Sequence, residues 1–149
     1  MAATVRKGQG RTMTMEKKID SYSARIGVIG MGYVGLPLAM MHAEQGFAVT
    51  GIDANPDKVR SLRQGTSYVS DIESRQVKEA LASGRLVATT DVAALKTLDV
   101  IFICVPTPFT ATKDPDISYI IKATEAIRDH LRKGQLSRVV PALRQHPGL

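Results

Sequence analysis

The sequence has few of the residue types that carry metal, disulfide or redox chemistry. Among its 149 residues there is no Trp, one Cys and three His, and aromatic residues make up 5%. The single Cys104 excludes a disulfide within the chain and fits a reducing compartment, so we expect a cytoplasmic protein. Because His42, His130 and His146 are scattered without ligand spacing such as H-x-x-x-H, we expect no metal site.

Long apolar segments are also missing. No run approaches the length of a membrane span, and no hydrophobic stretch follows the basic residues near the N-terminus, so we expect neither a membrane partner nor a secretory signal.

The net charge is +6, but residues 1–25 hold six Lys/Arg against two Asp/Glu, and residues 128–149 hold five against one. The excess therefore belongs to the two ends. Aromatic residues do not interleave with the basic ones, so we expect no nucleic-acid binding.

The most informative segment is G-M-G-Y-V-G at residues 30–35, directly after the apolar run Arg25–Ile29. A strand that ends in G-x-G-x-x-G and continues as a helix is typical of a dinucleotide-binding βαβ unit. In such a unit Gly30 permits the tight turn, Gly32 lets a pyrophosphate approach the backbone, and Gly35 lets the helix pack close to the sheet. The helix N-terminus offers free N–H groups to the phosphates.

An acidic residue stands where this unit requires one. Residues 47–52 are predicted as the second strand and Asp53 ends it, about 20 positions after Gly32. Its carboxylate can accept hydrogen bonds from ribose hydroxyls and repels a 2′-phosphate, which favours NAD over NADP. A turn aspartate before Asn55 is the alternative. Lys58, one helical turn later, could pair with Asp53, contact the ribose or be a solvated lysine.

Alternating strand and helix patterns predict an α/β fold, a Rossmann-like doubly wound parallel sheet. We expect strands at 25–29, 47–53, 86–89 and 100–105, helices at 33–45, 55–64, 71–82 and 118–133, and a helical turn at 91–96. Pro37 predicts a local distortion of the first helix. Residues 1–23 are basic and lack a period, so we expect a disordered extension there.

The loop after the last predicted strand is Val105-Pro106-Thr107-Pro108-Phe109, and its two prolines make it stiff. Such a loop at the carboxyl end of a strand can line a cofactor pocket, although a simple turn is the alternative. Cys104 ends the strand itself, and no activating base can be assigned to it. A free cysteine in an apolar strand acts as a small hydrophobe, so we expect no catalytic residue in this chain.

In combination these motifs resemble the N-terminal domain of the UDP-glucose/GDP-mannose dehydrogenase family, and the resemblance covers residues 24–136. The matching strings are I-G-V-I-G-M-G-Y-V-G-L-P-L-A at 26–39, G-I-D at 51–53, A-T-T-D at 88–91, C-V-P-T-P at 104–108 and D-P-D-I-S-Y at 114–119. The last two argue against another dehydrogenase family with the same nucleotide domain. Their spacing is most similar to the UDP-N-acetylhexosamine branch, such as the UDP-N-acetylglucosamine 6-dehydrogenases.

The resemblance implies oxidation of a UDP-sugar C6 alcohol to the uronate in two hydride transfers to NAD, within polysaccharide biosynthesis. It implies that Gly30, Met31, Gly32, Tyr33, Val34 and Gly35 bind the pyrophosphate, that Asp53 and Lys58 face the adenosine ribose, and that the segment Val105–Phe109, with Val105, Thr107 and Pro108, lines the cofactor. The family's catalytic cysteine and lysine lie in a later domain, and its full-length members form homo-oligomers. We therefore expect the NAD-binding portion of a nucleotide-sugar 6-dehydrogenase, inactive alone. A non-catalytic nucleotide-sensing Rossmann module is the alternative.

The C-terminal residues depart from the family pattern. After Leu136 the family continues with an apolar strand, whereas here Arg138 and Pro141 interrupt the run. We expect that strand to be missing or spoiled by these two residues, residues 137–149 to be an aberrant or disordered tail, and the sheet to be incomplete on its C-terminal side. This pattern suggests a truncated or frameshifted product. An uncovered strand at 100–105 predicts marginal stability or self-association.

Overall fold

The computed structural model describes residues 12–108 and 110–140. Five α-helices lie in that part of the chain: α1 (Met15–Asp20), α2 (Gly35–Gln45), α3 (Pro56–Arg63), α4 (Ser74–Ala82) and α5 (Ser118–Arg128). Its strands are β1 (Arg25–Ile29), β2 (Ala48–Ile52), β3 (Leu86–Thr89), β4 (Val100–Ile103) and β5 (Leu136–Val139). A 3-10 helix, Val92–Thr97, joins β3 to β4.

The strands form one sheet in the order β3-β2-β1-β4-β5, and every pair is parallel. This confirms the predicted Rossmann-like fold class. The chain runs outward from β1 to β3 and then returns to add β4 on the other side of β1. The switch point therefore lies between β1 and β4, where doubly wound sheets bind their ligands.

Strands β1 to β4 are mostly buried on both faces of the sheet, as expected for strands that are largely apolar. Val28 and Leu36 belong to the core between the sheet and helices α2 and α4, with α3 beside it. Ile101 and Ile127 belong to the core on the other face, against the 3-10 helix and α5. Because both faces are covered, the functional surface lies at the ends of the strands.

Helix α2 begins two residues later than predicted, at Gly35. Pro37 therefore falls in the first turn, where a backbone N–H has no intrahelical acceptor. Its missing donor costs no helical hydrogen bond, and the predicted distortion is not required. The helix ends at Gln45 and is capped by Gly46, whose φ of +112° is the left-handed conformation of a C-cap.

The N-terminal extension differs from the expectation, because residues 15–20 form helix α1. The Thr14 side chain caps it by accepting from the Lys17 N–H at 3.3 Å. The Lys18 ammonium donates to Asp99 at 2.7 Å, and this ion pair fastens α1 to the amino end of β4. The prediction of disorder over 1–23 missed this long-range contact, since the local sequence has no period. Residues 1–11 lie outside the described residues.

The expectation that no strand follows Leu136 is wrong. β5 pairs in parallel with β4, from Val100 opposite Leu136 to Ile103 opposite Val139. All four β5 residues are exposed, and the pairing consists of backbone hydrogen bonds, which do not need apolar side chains. The edge of β4 is therefore covered. Residues 141–149 lie outside the described residues.

Candidate cofactor-binding site

The loop at residues 30–35 leaves the carboxyl end of β1 and leads into α2. Gly30 has φ +88°, and a Cβ there would lie 2.6 Å from the Cys104 carbonyl oxygen. A Cβ on Gly35 would lie 1.7 Å from the Gly30 carbonyl oxygen. A Cβ on Gly32, in contrast, would meet nothing within 4 Å. The outer glycines thus allow close packing, while Gly32 presents bare backbone to open space.

The same loop carries unused hydrogen-bond donors. In the described part of the chain, the N–H groups of Gly32, Tyr33 and Val34 have no protein acceptor. These groups lie at the start of α2, where the helix dipole favours negative charge. The arrangement suits a phosphate group that approaches over Gly32.

Met31 holds this loop to the rest of the fold. Its side chain is fully buried and fills the space beside Gly51, where an added Cβ would come within 2.5 Å of the Met31 methyl. Its N–H donates to Asp53 Oδ2 at 2.8 Å, and its carbonyl accepts from the Tyr68 hydroxyl. Both backbone polar groups of Met31 are thus bonded within the protein.

Asp53 is held at the carboxyl end of β2 by three hydrogen bonds. Its own N–H donates to the Thr89 carbonyl at 3.2 Å. Oδ2 accepts from Met31, and Oδ1 accepts from the Asn55 N–H at 2.9 Å. Asp53 therefore does form the turn contact with Asn55 that was the alternative to ribose binding. The two roles are compatible, because each carboxylate oxygen can accept a further hydrogen bond.

Lys58 makes no ion pair with Asp53 within 4.0 Å among the described residues. Its ammonium instead lies 5.8 Å from the centre of the Tyr68 ring, a cation–π geometry. Lys58 is half-buried in α3, so it differs from the fully solvated lysine that was one of the alternatives. Its positive charge remains available to a ligand beside Asp53.

The loop after β4 begins next to the glycine loop. The Cys104 N–H donates to the Ile29 carbonyl at 2.7 Å, and a Cβ on Gly30 would lie 3.1 Å from the Val105 nitrogen. Thr107 is buried, and the carbonyl of the exposed Pro108 accepts from the Asp116 N–H at 2.7 Å. The structure therefore brings Val105 to the glycine loop. Roles for Thr107 and Pro108 toward a cofactor stay predictions.

Phe109, which completes the predicted cofactor-lining segment, lies outside the described residues. Cys104 is buried, and burial raises the pKa of its thiol to about 11, so the unreactive thiol dominates at neutral pH.

Within 12–108 and 110–140, no group of three or more His, Cys, Asp or Glu could hold a metal ion. None of the helices in those ranges is long and apolar enough to cross a bilayer.

Sequence reasoning missed Tyr68, which contacts both the glycine loop and Lys58. It lies in the connection between α3 and α4, where no periodic pattern or motif marks it. The only signal in the sequence is an aromatic residue with a hydroxyl in a loop of mostly polar residues. Its contacts depend on how α3 returns to the sheet, which local sequence does not reveal.

Comparison with known proteins gives a family. The model of the "UDP-glucose/GDP-mannose dehydrogenase family, NAD binding domain" matches residues 24–141. UDP-N-acetyl-D-mannosamine dehydrogenase of Pyrococcus horikoshii is 37% identical over 113 residues, which are 75% of this chain and 27% of that protein. UDP-N-acetyl-D-glucosamine 6-dehydrogenase of Pseudomonas aeruginosa is 35% identical over 112 residues, 75% of this chain and 26% of that protein.

A solved structure agrees with these relatives. The ternary complex of GDP-mannose dehydrogenase from Pseudomonas aeruginosa superposes with a TM-score of 0.74 and 31% sequence identity. The superposition covers 80% of this chain and 28% of that one. The chain thus spans little more than a quarter of the length of the proteins it matches.

Proposed function

This chain belongs to the UDP-glucose/GDP-mannose dehydrogenase family, of which it carries the NAD-binding domain, and we propose that it serves as the cofactor-binding portion of a nucleotide-sugar 6-dehydrogenase. When bound, NAD would supply the hydride acceptor for oxidation of a UDP-sugar C6 alcohol to the uronate. The observation that carries the proposal is the juxtaposition of open backbone at Gly32, unpartnered N–H groups and the Asp53 carboxylate at one edge of the sheet.

The residues present fit a dinucleotide. The N–H groups of Gly32, Tyr33 and Val34 would bind the pyrophosphate, supported by the dipole of α2. Asp53 would accept hydrogen bonds from the adenosine ribose hydroxyls and exclude a 2′-phosphate. Lys58, held beside the same end of β2, would contact the ribose.

Three further residues would enclose the cofactor. Val105, Thr107 and Pro108 follow β4, on the other side of the switch point from Asp53. We propose that these three residues contact the part of the cofactor that lies beyond the pyrophosphate. Support comes from the Val105 nitrogen, which would lie 3.1 Å from a Cβ on Gly30, and from the half-buried state of Val105.

For the substrate we propose a UDP-N-acetylhexosamine, processed in the cytoplasm for polysaccharide synthesis by a homo-oligomeric enzyme. Two relatives are named for UDP-N-acetyl-D-mannosamine and UDP-N-acetyl-D-glucosamine. Both are almost four times as long as the matched segment. Because the family's catalytic cysteine and lysine belong to a later domain, we propose that this chain by itself binds NAD without oxidising the sugar.

Calorimetric titration with NAD tests the cofactor assignment. We expect saturable binding at one site per chain, and weakening by roughly tenfold or more in Asp53→Asn, since hydrogen bonds to a charged acceptor contribute about 1.5–3 kcal/mol. Asp57→Asn is the matched control, because Asp57 is exposed in α3 and, among the described residues, its carboxylate forms an ion pair only with Arg60. Equal NAD affinity in Asp53→Asn and the parent would contradict the assignment.

Absorbance of NADH tests the second half of the proposal. The chain incubated with NAD and UDP-N-acetylglucosamine is expected to produce no NADH above the protein-free reaction. Sustained NADH formation that depends on the chain would show that its catalytic groups lie within these 149 residues, contrary to the proposal.

A further inference from the structure

One polar side chain at this site is assigned by neither the glycine motif nor the family's matching strings. On the basis of the function proposed above, we propose that Tyr68 is a positioning residue for NAD: its hydroxyl orients the peptide between Met31 and Gly32, and its ring holds the Lys58 ammonium. Tyr68 acts through these two groups and need not touch the cofactor itself.

The hydroxyl contact fixes the direction of a phosphate-binding donor. The Tyr68 hydroxyl donates to the Met31 carbonyl oxygen. That carbonyl shares one planar trans peptide with the Gly32 N–H, so the two groups point in opposite directions. Turning the Met31 carbonyl toward Tyr68 therefore turns the Gly32 N–H away from Tyr68. The Gly32 N–H is one of the three N–H groups of this loop that have no protein acceptor among the described residues, and it lies on the glycine with open space around it.

The preceding peptide is fixed separately. The Met31 N–H donates to Asp53 Oδ2 at 2.8 Å. Asp53 and Tyr68 thus hold the two successive peptides on either side of Met31. A glycine-rich loop has many accessible conformations, and holding it before the ligand arrives lowers the entropy lost on binding.

The ring of Tyr68 makes a second contact, with Lys58. The Lys58 ammonium lies 5.8 Å from the ring centre, while no carboxylate pairs with Lys58 among the described residues. A cation–π contact of this kind restrains a long side chain without neutralising its charge. Lys58 is therefore held over the Tyr68 ring with its charge available to a ligand.

Tyr68 itself is held firmly enough for this role. The neighbouring Val69 is buried, and the Ser67 hydroxyl closes a turn by donating to the Val69 carbonyl at 3.0 Å. The Ser67 N–H donates to the Ser74 hydroxyl at 3.0 Å, which ties the loop to the start of α4. Burial, followed by the negative charge of Asp53, raises the pKa of Tyr68, so its hydroxyl keeps the proton that it donates.

The first test uses the ligand-free chain. Tyr68→Phe keeps the ring and removes only the hydroxyl. We expect it to shift the amide resonances of Met31 and Gly32 and to accelerate hydrogen exchange at the Met31 amide by at least several-fold. Tyr22→Phe is the matched control, because the Tyr22 ring packs 5.0 Å from that of Phe47 at the other end of the strands. Unchanged Met31 and Gly32 signals in Tyr68→Phe would overturn the role of the hydroxyl.

The second test uses NAD affinity. Loss of one hydrogen bond predicts roughly three- to tenfold weaker binding in Tyr68→Phe. Tyr68→Leu removes the ring as well and should weaken binding further. The effect of Lys58→Met should be smaller in the Tyr68→Leu background and unchanged in the Tyr68→Phe background. Full additivity of Lys58→Met with Tyr68→Leu would overturn the role of the ring.

The two tests separate this inference from the proposed function. A parent chain that binds no NAD would contradict the proposed function, while the amide spectra of Tyr68→Phe still decide whether Tyr68 orients the loop. A parent chain that binds NAD, with affinity and amide spectra unaffected by Tyr68→Phe, would overturn the inference and leave the proposed function intact.

Discussion

At residues 30–35 three glycines meet three different steric conditions. Gly35 touches the Gly30 carbonyl so closely that no side chain fits between them, and Gly30 needs a left-handed φ as well. Gly32 has a φ outside the left-handed region and free space where a Cβ would be. Gly30 and Gly35 are therefore required by the fold, whereas Gly32 is required only for the close approach of a ligand to its backbone.

This difference predicts the stabilities of two Ala variants. Gly35→Ala should lower the free energy of unfolding by about 2–3 kcal/mol, because the new methyl group collides with backbone that cannot move away. Gly32→Ala should leave it within about 0.5 kcal/mol of the parent, since the added Cβ has open space. Urea denaturation followed by circular dichroism measures both. Equal destabilisation of the two variants would contradict these steric assignments.

Burial of Cys104 makes the reactivity of its thiol testable. Because burial raises the pKa of the thiol to about 11, the thiolate fraction at pH 8 is far smaller than in a free cysteine. We expect a disulfide reagent such as DTNB to label the native chain at least a hundredfold more slowly than the urea-unfolded chain. Rapid labelling of the native chain at pH 8 would contradict the structural role assigned to Cys104.

At the scale of elements, one buried carboxylate joins three separate parts of the chain. Asp99 is 5% exposed; it accepts from the Lys18 ammonium of α1 at 2.7 Å and from the Arg25 N–H of β1 at 2.8 Å. The Arg132 guanidinium, before β5, lies 3.7 Å away. Burial alone would raise the pKa of Asp99, but the hydrogen bonds from Arg25 and Lys18 and the charges of Lys18 and Arg132 together hold it below its usual value.

Replacing this carboxylate should therefore destabilise the fold in a pH-dependent way. We expect Asp99→Asn to lower the free energy of unfolding by about 2 kcal/mol at pH 7, since a buried charged acceptor is lost. The stabilisation by a carboxylate with a depressed pKa is complete above the unfolded value of about 3.9 and disappears as pH falls through the folded pKa. The difference between parent and variant should therefore shrink between about pH 5 and pH 3.

The exposed Asp129 provides the control for Asp99. Within residues 12–108 and 110–140, the Asp129 carboxylate forms an ion pair only with its neighbour Arg128, at 3.5 Å, so Asp129→Asn should change stability by less than about 0.5 kcal/mol. Urea titrations at several pH values give the comparison. A difference between parent and Asp99→Asn that stays constant down to pH 3 would contradict the assigned ionisation of Asp99.

The same elements show how much the sequence predicts. Strand β1, the glycine loop and Asp53 follow from a motif whose residues are close in sequence, and the parallel sheet follows from the alternating periods. Helix α1 and strand β5 could not be predicted, because α1 depends on the Lys18–Asp99 pair, 81 positions apart, and β5 on backbone pairing with β4. Tyr68 was missed for the same reason: its hydroxyl bonds a residue 37 positions earlier.

At the scale of the whole molecule, the two ends of the sheet differ in character. The carboxyl end carries the glycine loop, Asp53 and the loop after β4. The amino end carries the Asp99 cluster and an open cavity of about 470 Å³ bordered by Phe47 and Phe102. All the residues proposed to bind NAD therefore lie at the carboxyl end, and the Lys18–Asp99 ion pair that fastens α1 lies at the amino end.

The most direct test of NAD binding at the carboxyl end is a calorimetric titration of the parent chain and of Gly32→Ala with NAD. We expect saturable binding by the parent and at least roughly tenfold weaker binding by Gly32→Ala, although the two unfold at the same urea concentration, because the methyl group occupies the space that a pyrophosphate needs. Absence of binding by the folded parent, or equal affinity in Gly32→Ala, would contradict it.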